Sequence, residues 1–215
     1  DIKIGMHSEE AILAPYSGKK PMLLSYVDML EKTNKFKHII LYHKNVKQLW
    51  KDFKSLFSII EAGGGVVCNE KDEVLFIHRK GFWDLPKGKR DKGEKKRMTA
   101  VREVEEETGV RNVSIHDKII VTYHLFRLRT RKRALKKTHW YTMKASDQML
   151  TPQAKEGITK AEWKNPEKFI ETGFDIRKRS NIEVIDLFTF LDIEWDINGC
   201  LFHWLDDEKP PYLVD

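Results

Sequence analysis

Cysteine is scarce in this chain of 215 residues: only Cys68 and Cys200 occur, in no paired metal-ligand spacing. A disulfide framework of the small secreted kind and a zinc site therefore have no support. Long apolar runs are missing as well. No stretch approaches the ~20 residues that cross a bilayer, and the N-terminus carries no signal-peptide pattern, so residence in the cytoplasm is expected. Internal repeats are absent. What is present is a balanced globular composition, 40% apolar and 33% charged, in a mass of 25.4 kDa. That accommodates one domain with an appendage or two small domains. The net charge of +6, from 39 basic and 33 acidic residues, suits an anionic partner.

Residues 1–61 form a separate block. Residues 22–30 are apolar enough for a short helix, and 36–42 read as a strand through Ile39, Ile40 and Leu41. Asn45 is placed to cap a helix that carries Val46, Leu49, Trp50, Phe53, Leu56, Phe57 and Ile60 at helical spacing. So much apolar surface does not stay in water, and the helix would run into residues 61–64 without a flexible linker. The block is therefore expected to pack on the following domain or across a homodimer interface. The next domain, 62–190, opens on Gly63–Gly64–Gly65, which lets backbone pass close to something, either packing or a ligand. Strands are expected at 66–68 and 74–78, a helix at 95–108 stopped by Gly109, and long strands at 119–129 and 134–143. A strand at 159–163 and a helix at 182–190 follow, and the tail 191–215 holds a possible hairpin. Interspersed strands and helices point to a mixed-sheet α/β or α+β sandwich.

The chemistry sits in Arg102–Glu103–Val104–Glu105–Glu106–Glu107. At roughly 100° per residue, Glu106 and Glu107 lie about −60° and +40° from Glu103 around a helix, so three carboxylates share one face. Charges this close raise each other's pKa unless a cation neutralises them, and a hard divalent ion with oxygen ligands would do so. A plain solvated acidic face is the alternative. The surrounding spacing argues against it: five residues separate Gly88 from Glu94, seven separate Glu94 from Arg102, and Glu103, Val104, Glu106, Glu107, Gly109 and Val110 follow in register. Chance agreement at seven fixed residues is about one in a million or rarer.

This pattern, Gx5Ex7REUxEExGU, resembles the box of the Nudix hydrolases (MutT-like), and AGGGVV, EVLFIHR, WDLPKG and LKKTHWY are similar to their strands across roughly residues 60–190. The resemblance implies an α/β/α sandwich around a mixed sheet, with a loop–helix–loop that holds Mg²⁺ or Mn²⁺, and hydrolysis of a diphosphate bond in a nucleotide-like substrate. It implies that Glu103, Glu106 and Glu107 are metal carboxylates, with the main-chain carbonyl of Lys87 as a further ligand. Arg102 would orient a metal-binding glutamate, Glu94 would support the loop from behind the ligands, and Gly88 would permit its tight turn. Either Glu103 or Glu156 would take the proton from the attacking water.

The substrate is less legible. Lys87, Lys136 and Lys137 are candidates for substrate phosphates. Residues 127–137 carry seven cations, which form either a phosphate rim or a solvated hairpin tip. Lys89, Arg90 and Lys92 in the box loop point the same way. Trp83, Tyr123, Phe126 and Trp140 are candidates to stack on a base or to fill the core. The box entry is similar to the branch acting on dinucleoside polyphosphates, diphosphoinositol phosphates or 5′-triphosphate ends, and dinucleoside or nucleoside polyphosphates are the leaning. No proline occurs between Lys87 and Thr151, which disfavours ADP-ribose. A nucleotide sensor without turnover is the alternative. Nucleic acid is not expected as a partner, for lack of any motif beyond charge.

Overall fold

The computed structural model describes residues 11–171, apart from 34, 36 and 37, together with 195–196 and 201–202. The chain opens with β1 (Ala11–Pro15), α1 (Lys20–Lys32), β2 (His38–Tyr42) and α2 (Val46–Lys54), β1 and β2 pairing in parallel. Asn45 caps α2 as expected, its Oδ1 accepting from Gln48 N at 2.9 Å. The helix nevertheless stops at Lys54, short of Ile60. Residues 58–60 belong to β3 (Ser58–Cys68), where Ser58, Ile59 and Ile60 pair in parallel with Ala134, Leu135 and Lys136. The β-branched pair and a ready ladder outweigh the helical periodicity there. The expected boundary at 61/62 therefore falls inside a strand.

The main sheet has seven strands. Its path runs β5 (Phe82–Asp84), β4 (Val74–Arg79), β3, β8 (Arg133–Lys144), β7 (Ser114–Arg127), with β6 (Lys87–Lys89) pairing β3 and β9 (Ile158–Lys164) pairing β4. The pairing of β3 with β8 is parallel and the others are antiparallel, so the sheet is mixed. On one face lies α3 (Lys96–Thr108), whose Ala100 and Val104 pack with Val67, Leu75, Tyr141 and Met143. Against the other lies α4 (Pro166–Glu171), whose Phe169 meets Phe76 at 4.6 Å between ring centroids. This is the α/β/α arrangement expected. The expected helix at 182–190 lies outside the described residues, and of the expected tail hairpin the antiparallel pair β10 (Trp195–Asp196) and β11 (Leu201–Phe202) is described.

The triple glycine serves packing. A Cβ on Gly63 would stand 2.7 Å from Ala100 N of α3, and one on Gly64 would stand 2.7 Å from Trp140 Cζ3 and 2.6 Å from Lys87 Cβ. Helix and loop approach β3 this closely because no side chain intervenes. Cys68, buried at the end of β3, is disulfide-bonded, which the cysteine count did not lead us to expect.

Among the described residues, the N-terminal block shares its core with the main sheet. Tyr16, Leu23, Val27, Phe53 and Phe57 form one buried cluster with Leu125 of β7 and Leu135 of β8. Trp50 stands edge-on to Tyr123 at 4.7 Å. Charge reinforces the union. Arg133 pairs with Asp28 and Glu31 of α1, and Arg127 pairs with Glu31. Two of the seven hairpin cations thus hold α1 instead of forming a phosphate rim.

Candidate active site

The box helix presents its carboxylates because its apolar positions fix its roll. With Ala100 and Val104 fully buried, Glu103 and Glu107 are carried to the buried side toward β6, and Glu106 stays exposed. Glycine at position 88 makes room: a Cβ there would fall 1.7 Å from Glu103 Oε2. Gly109, with φ +77°, ends the helix in the left-handed region, its N–H donating to Glu105 O at 2.9 Å.

Arg102 knits the loop to the helix. Its Nε and Nη2 donate to the two oxygens of Glu94 at 2.8 and 2.9 Å, and Nη2 reaches Lys89 O at 3.1 Å. Its Nη1 spans Glu103 Oε1 at 2.7 Å and Glu106 Oε2 at 3.2 Å. Glu94 also accepts from Thr99 Oγ1 at 2.8 Å and Asp91 N at 3.2 Å. The Arg102 guanidinium, seconded by these donors, holds the Glu94 carboxyl down at about 2. Glu94 thereby pins both the loop and the arginine.

Glu107 is fully buried and accepts from Lys87 N at 2.8 Å and Arg79 Nη1 at 3.4 Å. Burial pushes its carboxyl up to about 7; Lys87 and Arg79 oppose that rise, and Glu156 adds to it. Glu103 is raised too, by burial first, against Arg102, with Glu106 and Glu156 raising it further. Glu156 arrives from a distant part of the chain, in a single 3-10 turn at Ala154–Glu156. Backbone bonds from Gln153 N to Glu107 O (3.1 Å) and Thr151 N to Thr108 O (2.7 Å) dock that segment on the end of α3. Arg79 Nη2 stands 3.3 Å from Glu156 Oε2. Arg79 therefore bridges Glu107 and Glu156, a role that sequence reasoning missed although it had singled out the strand EVLFIHR.

Among the described residues no group of three His, Cys, Asp or Glu side chains stands closed upon a metal. The reason is visible: Arg102 spans Glu103 and Glu106, while Lys87 N and Arg79 hold Glu107. The donor chemistry nonetheless fits a hard divalent cation. The donors are carboxylate oxygens, two of them on buried residues with raised pKa, beside a glycine cradle. The Lys87 carbonyl belongs to β6, the strand whose amide Glu107 already grips.

The lysines separate. Lys136 is half-buried beside Lys87 and Asp84; burial, with the charge of Lys87, brings its ammonium down to about 8, against Asp84 and Glu107. Lys87 Nζ pairs with Asp84 and lies 5.9 Å from the Trp140 ring centroid. Lys137, expected next to Lys136 on a phosphate rim, projects from the opposite face, 3.8 Å from Glu61. Adjacent residues of a strand point to opposite sides. Glu61 there also accepts from His139 Nε2 at 2.7 Å and faces Lys96 at 3.9 Å. Of the stacking candidates, Trp140 is buried with its Nε1 donating to Thr122 Oγ1, and Tyr123 is spent against Trp50. Trp83 is half-buried, with Lys164 Nζ 4.1 Å from its ring centroid.

A NUDIX domain matches residues 61–186, and the chain belongs to that family. It is 41% identical over 58 residues to an RNA pyrophosphohydrolase of Pelagibacter ubique, a stretch covering 25% of this chain and 37% of that protein. It is 40% identical over 79 residues to an 8-oxo-(d)GTP phosphatase of Mycolicibacterium smegmatis, covering 36% of this chain and 22% of the other. These curated relatives are thus matched over well under half of their own length. The solved structure of a C. elegans Ap4A hydrolase binary complex is similar at 19% identity and a TM-score of 0.41, over 52% of this chain and 84% of that one. Among the described residues no helix is long and apolar enough to cross a membrane.

Proposed function

We propose that the protein is a Mg²⁺- or Mn²⁺-dependent hydrolase that cleaves a diphosphate bond in a nucleoside diphosphate-linked substrate, with dinucleoside or nucleoside polyphosphates as the favoured class. The observation that carries this reading is the convergence of Glu103, Glu107 and Glu156 at the foot of α3, where the two buried carboxyls are raised and each feels the charge of Glu156. Such a concentration of negative charge next to an anionic phosphoanhydride makes chemical sense with a cation bound. Glu103, Glu106, Glu107 and the Lys87 carbonyl would hold it; when bound, it supplies charge neutralisation on phosphoryl oxygens and acidifies a coordinated water.

The chain's own residues supply the rest. Arg102 orients Glu103 and Glu106, and Glu94 keeps Arg102 in place. Glu156 or Glu103 accepts the proton of the attacking water, and Arg79 fixes Glu156 within reach of the α3 carboxylates. Lys136 and Lys87, on one side of the sheet, attract the phosphates of the substrate. Cytoplasmic residence belongs to the same reading. Incubating the purified chain with Mg²⁺ and a panel of nucleoside diphosphate derivatives, and separating the products, tests it. Release of two phosphate-terminated products from at least one dinucleoside or nucleoside polyphosphate is expected. Tight binding of a panel member with no product would replace the hydrolase by a sensor.

A further inference from the structure

A surface depression of about 420 Å³ lies beside the carboxylate centre, and none of the α3 carboxylates lines it. One wall is the stretch Ile59, Ile60 and Glu61 of β3; the other is Lys89, Arg90, Asp91 and Lys92 of the box loop. The β6 ladder pairs Ala62 with Lys89 and ends on one more bond, Arg90 N to Glu61 O at 2.9 Å. The loop therefore stands over the β3 edge at a fixed height. It is not a slack segment: Asp91 N donates to Glu94, Glu94 N donates to Asp91 O at 3.2 Å, and Arg102 grips Glu94.

The cations of this loop differ from others nearby. Arg79, Lys96, Arg102 and Lys137 each have a carboxylate partner. Among the described residues no carboxylate pairs with Lys89, Arg90 or Lys92. Asp91, between them in sequence, also lines the depression, and its carboxylate is drawn toward Arg102, at 3.9 Å. Glu61, the acid of the β3 wall, is engaged by His139, Lys96 and Lys137. Three cations against the single acid Asp91 within four residues, held on a hydrogen-bonded loop above a ligand-sized depression, favour an anion from outside.

We propose that this depression is a distal phosphate subsite, which receives a phosphate of the substrate beyond the diphosphate that is cleaved. The inference rests on the hydrolase reading for the word substrate, but the anion site stands on the loop alone. Position supports it. Lys89 has its carbonyl on Arg102, and Arg90 is two residues from Gly88, roughly 7 Å along an extended strand. A phosphate chain held at the α3 carboxylates would reach the depression by running past β6. Short diphosphate substrates would leave it unused. The chain should therefore prefer substrates with three or more phosphates in a row.

Binding of inorganic tripolyphosphate to the full chain, in EDTA so that no metal contributes, can be measured by titration calorimetry. Two variants with equal loss of charge are compared: R90A/K92A at the depression and K47A/K51A on the exposed side of α2. The expected result is about tenfold weaker binding for R90A/K92A and less than about twofold change for K47A/K51A. Equal weakening in both, or no binding to the unaltered chain, would overturn the subsite. A kinetic arm separates a distal substrate phosphate from a free phosphate effector. Tripolyphosphate should raise KM for a tetraphosphate-linked substrate at constant kcat, whereas a change in kcat at constant KM would overturn the assignment to substrate. A chain that binds tripolyphosphate as expected and yet hydrolyses nothing would sink the hydrolase reading while leaving the anion site in place.

Discussion

The box loop–helix packs on β3 and β8 and the N-terminal block on β7 and β8, and they do so in opposite ways. The block is joined by aromatic burial, Phe53 and Phe57 against Leu125 and Leu135, with ion pairs from Arg127 and Arg133 at its margin. The box is joined by Ala100, close over Gly63, and Val104, which pack on Val67, Leu75, Tyr141 and Met143, and the rest of its face is charge in tension: two raised carboxyls, and one arginine shared among three glutamates. One region holds free energy of folding; the other gives some up to keep carboxylates where water would otherwise solvate them. The difference teaches where each should break.

Glu106→Gln should divide the two most sharply, lowering kcat by about 10³-fold while the melting temperature scarcely moves, as read by steady-state kinetics and calorimetry. Glu106 is exposed and contributes a single 3.2 Å contact to the fold. A large loss of stability with turnover intact would make it a structural ion pair. Phe53→Ala should do the reverse. It removes a buried ring that touches Trp50 and Phe57, and should cost about 3–5 kcal/mol in chemical denaturation, with the surviving folded fraction still active. Deleting all residues before Ser58 goes further, uncovering Leu125 and Leu135 together; light scattering should then report aggregates. A monodisperse, fully active truncation would refute the shared core.

Much of the box was legible because its functional groups lie on one loop and one helix, where spacing alone fixes their mutual direction. Glu156 was a candidate through resemblance, but its docking by Thr151 and Gln153 is a tertiary fact. Arg79 could not be singled out, since its role exists only once β4 and the 3-10 turn meet. The stripe of α2 was readable and its end was not, because the ladder with β8 decides where the helix must stop. Lys136 and Lys137 are the instructive pair. Strand alternation already separates them, and treating them as one rim ignored it. Lys136→Glu should thus raise KM for polyphosphate substrates several-fold, whereas Lys137→Glu, facing Glu61, should leave KM nearly unchanged and disturb the local fold. Equal effects on KM would rejoin them.

The smallest effect is one the two regions share. Glu94 in the box and Asp28 in α1 both have carboxyls held down at about 2, Glu94 by Arg102 and Asp28 by Lys32 and Arg133. Each is lower in the folded chain than its ordinary value, so its stabilisation is present above that value. It should fade as pH falls from about 4.5 toward 2. Denaturation at a series of pH values should show Glu94→Gln and Asp28→Asn each flattening this acid limb.

The central claim, that the α3 carboxylates exist to work with a divalent cation on a diphosphate, is tested most directly by one rate. The best substrate of the nucleotide panel is assayed with the chain in Mg²⁺ and again after EDTA treatment. Turnover should vanish in EDTA and return on adding Mg²⁺ or Mn²⁺. Equal rates in both conditions would contradict the account.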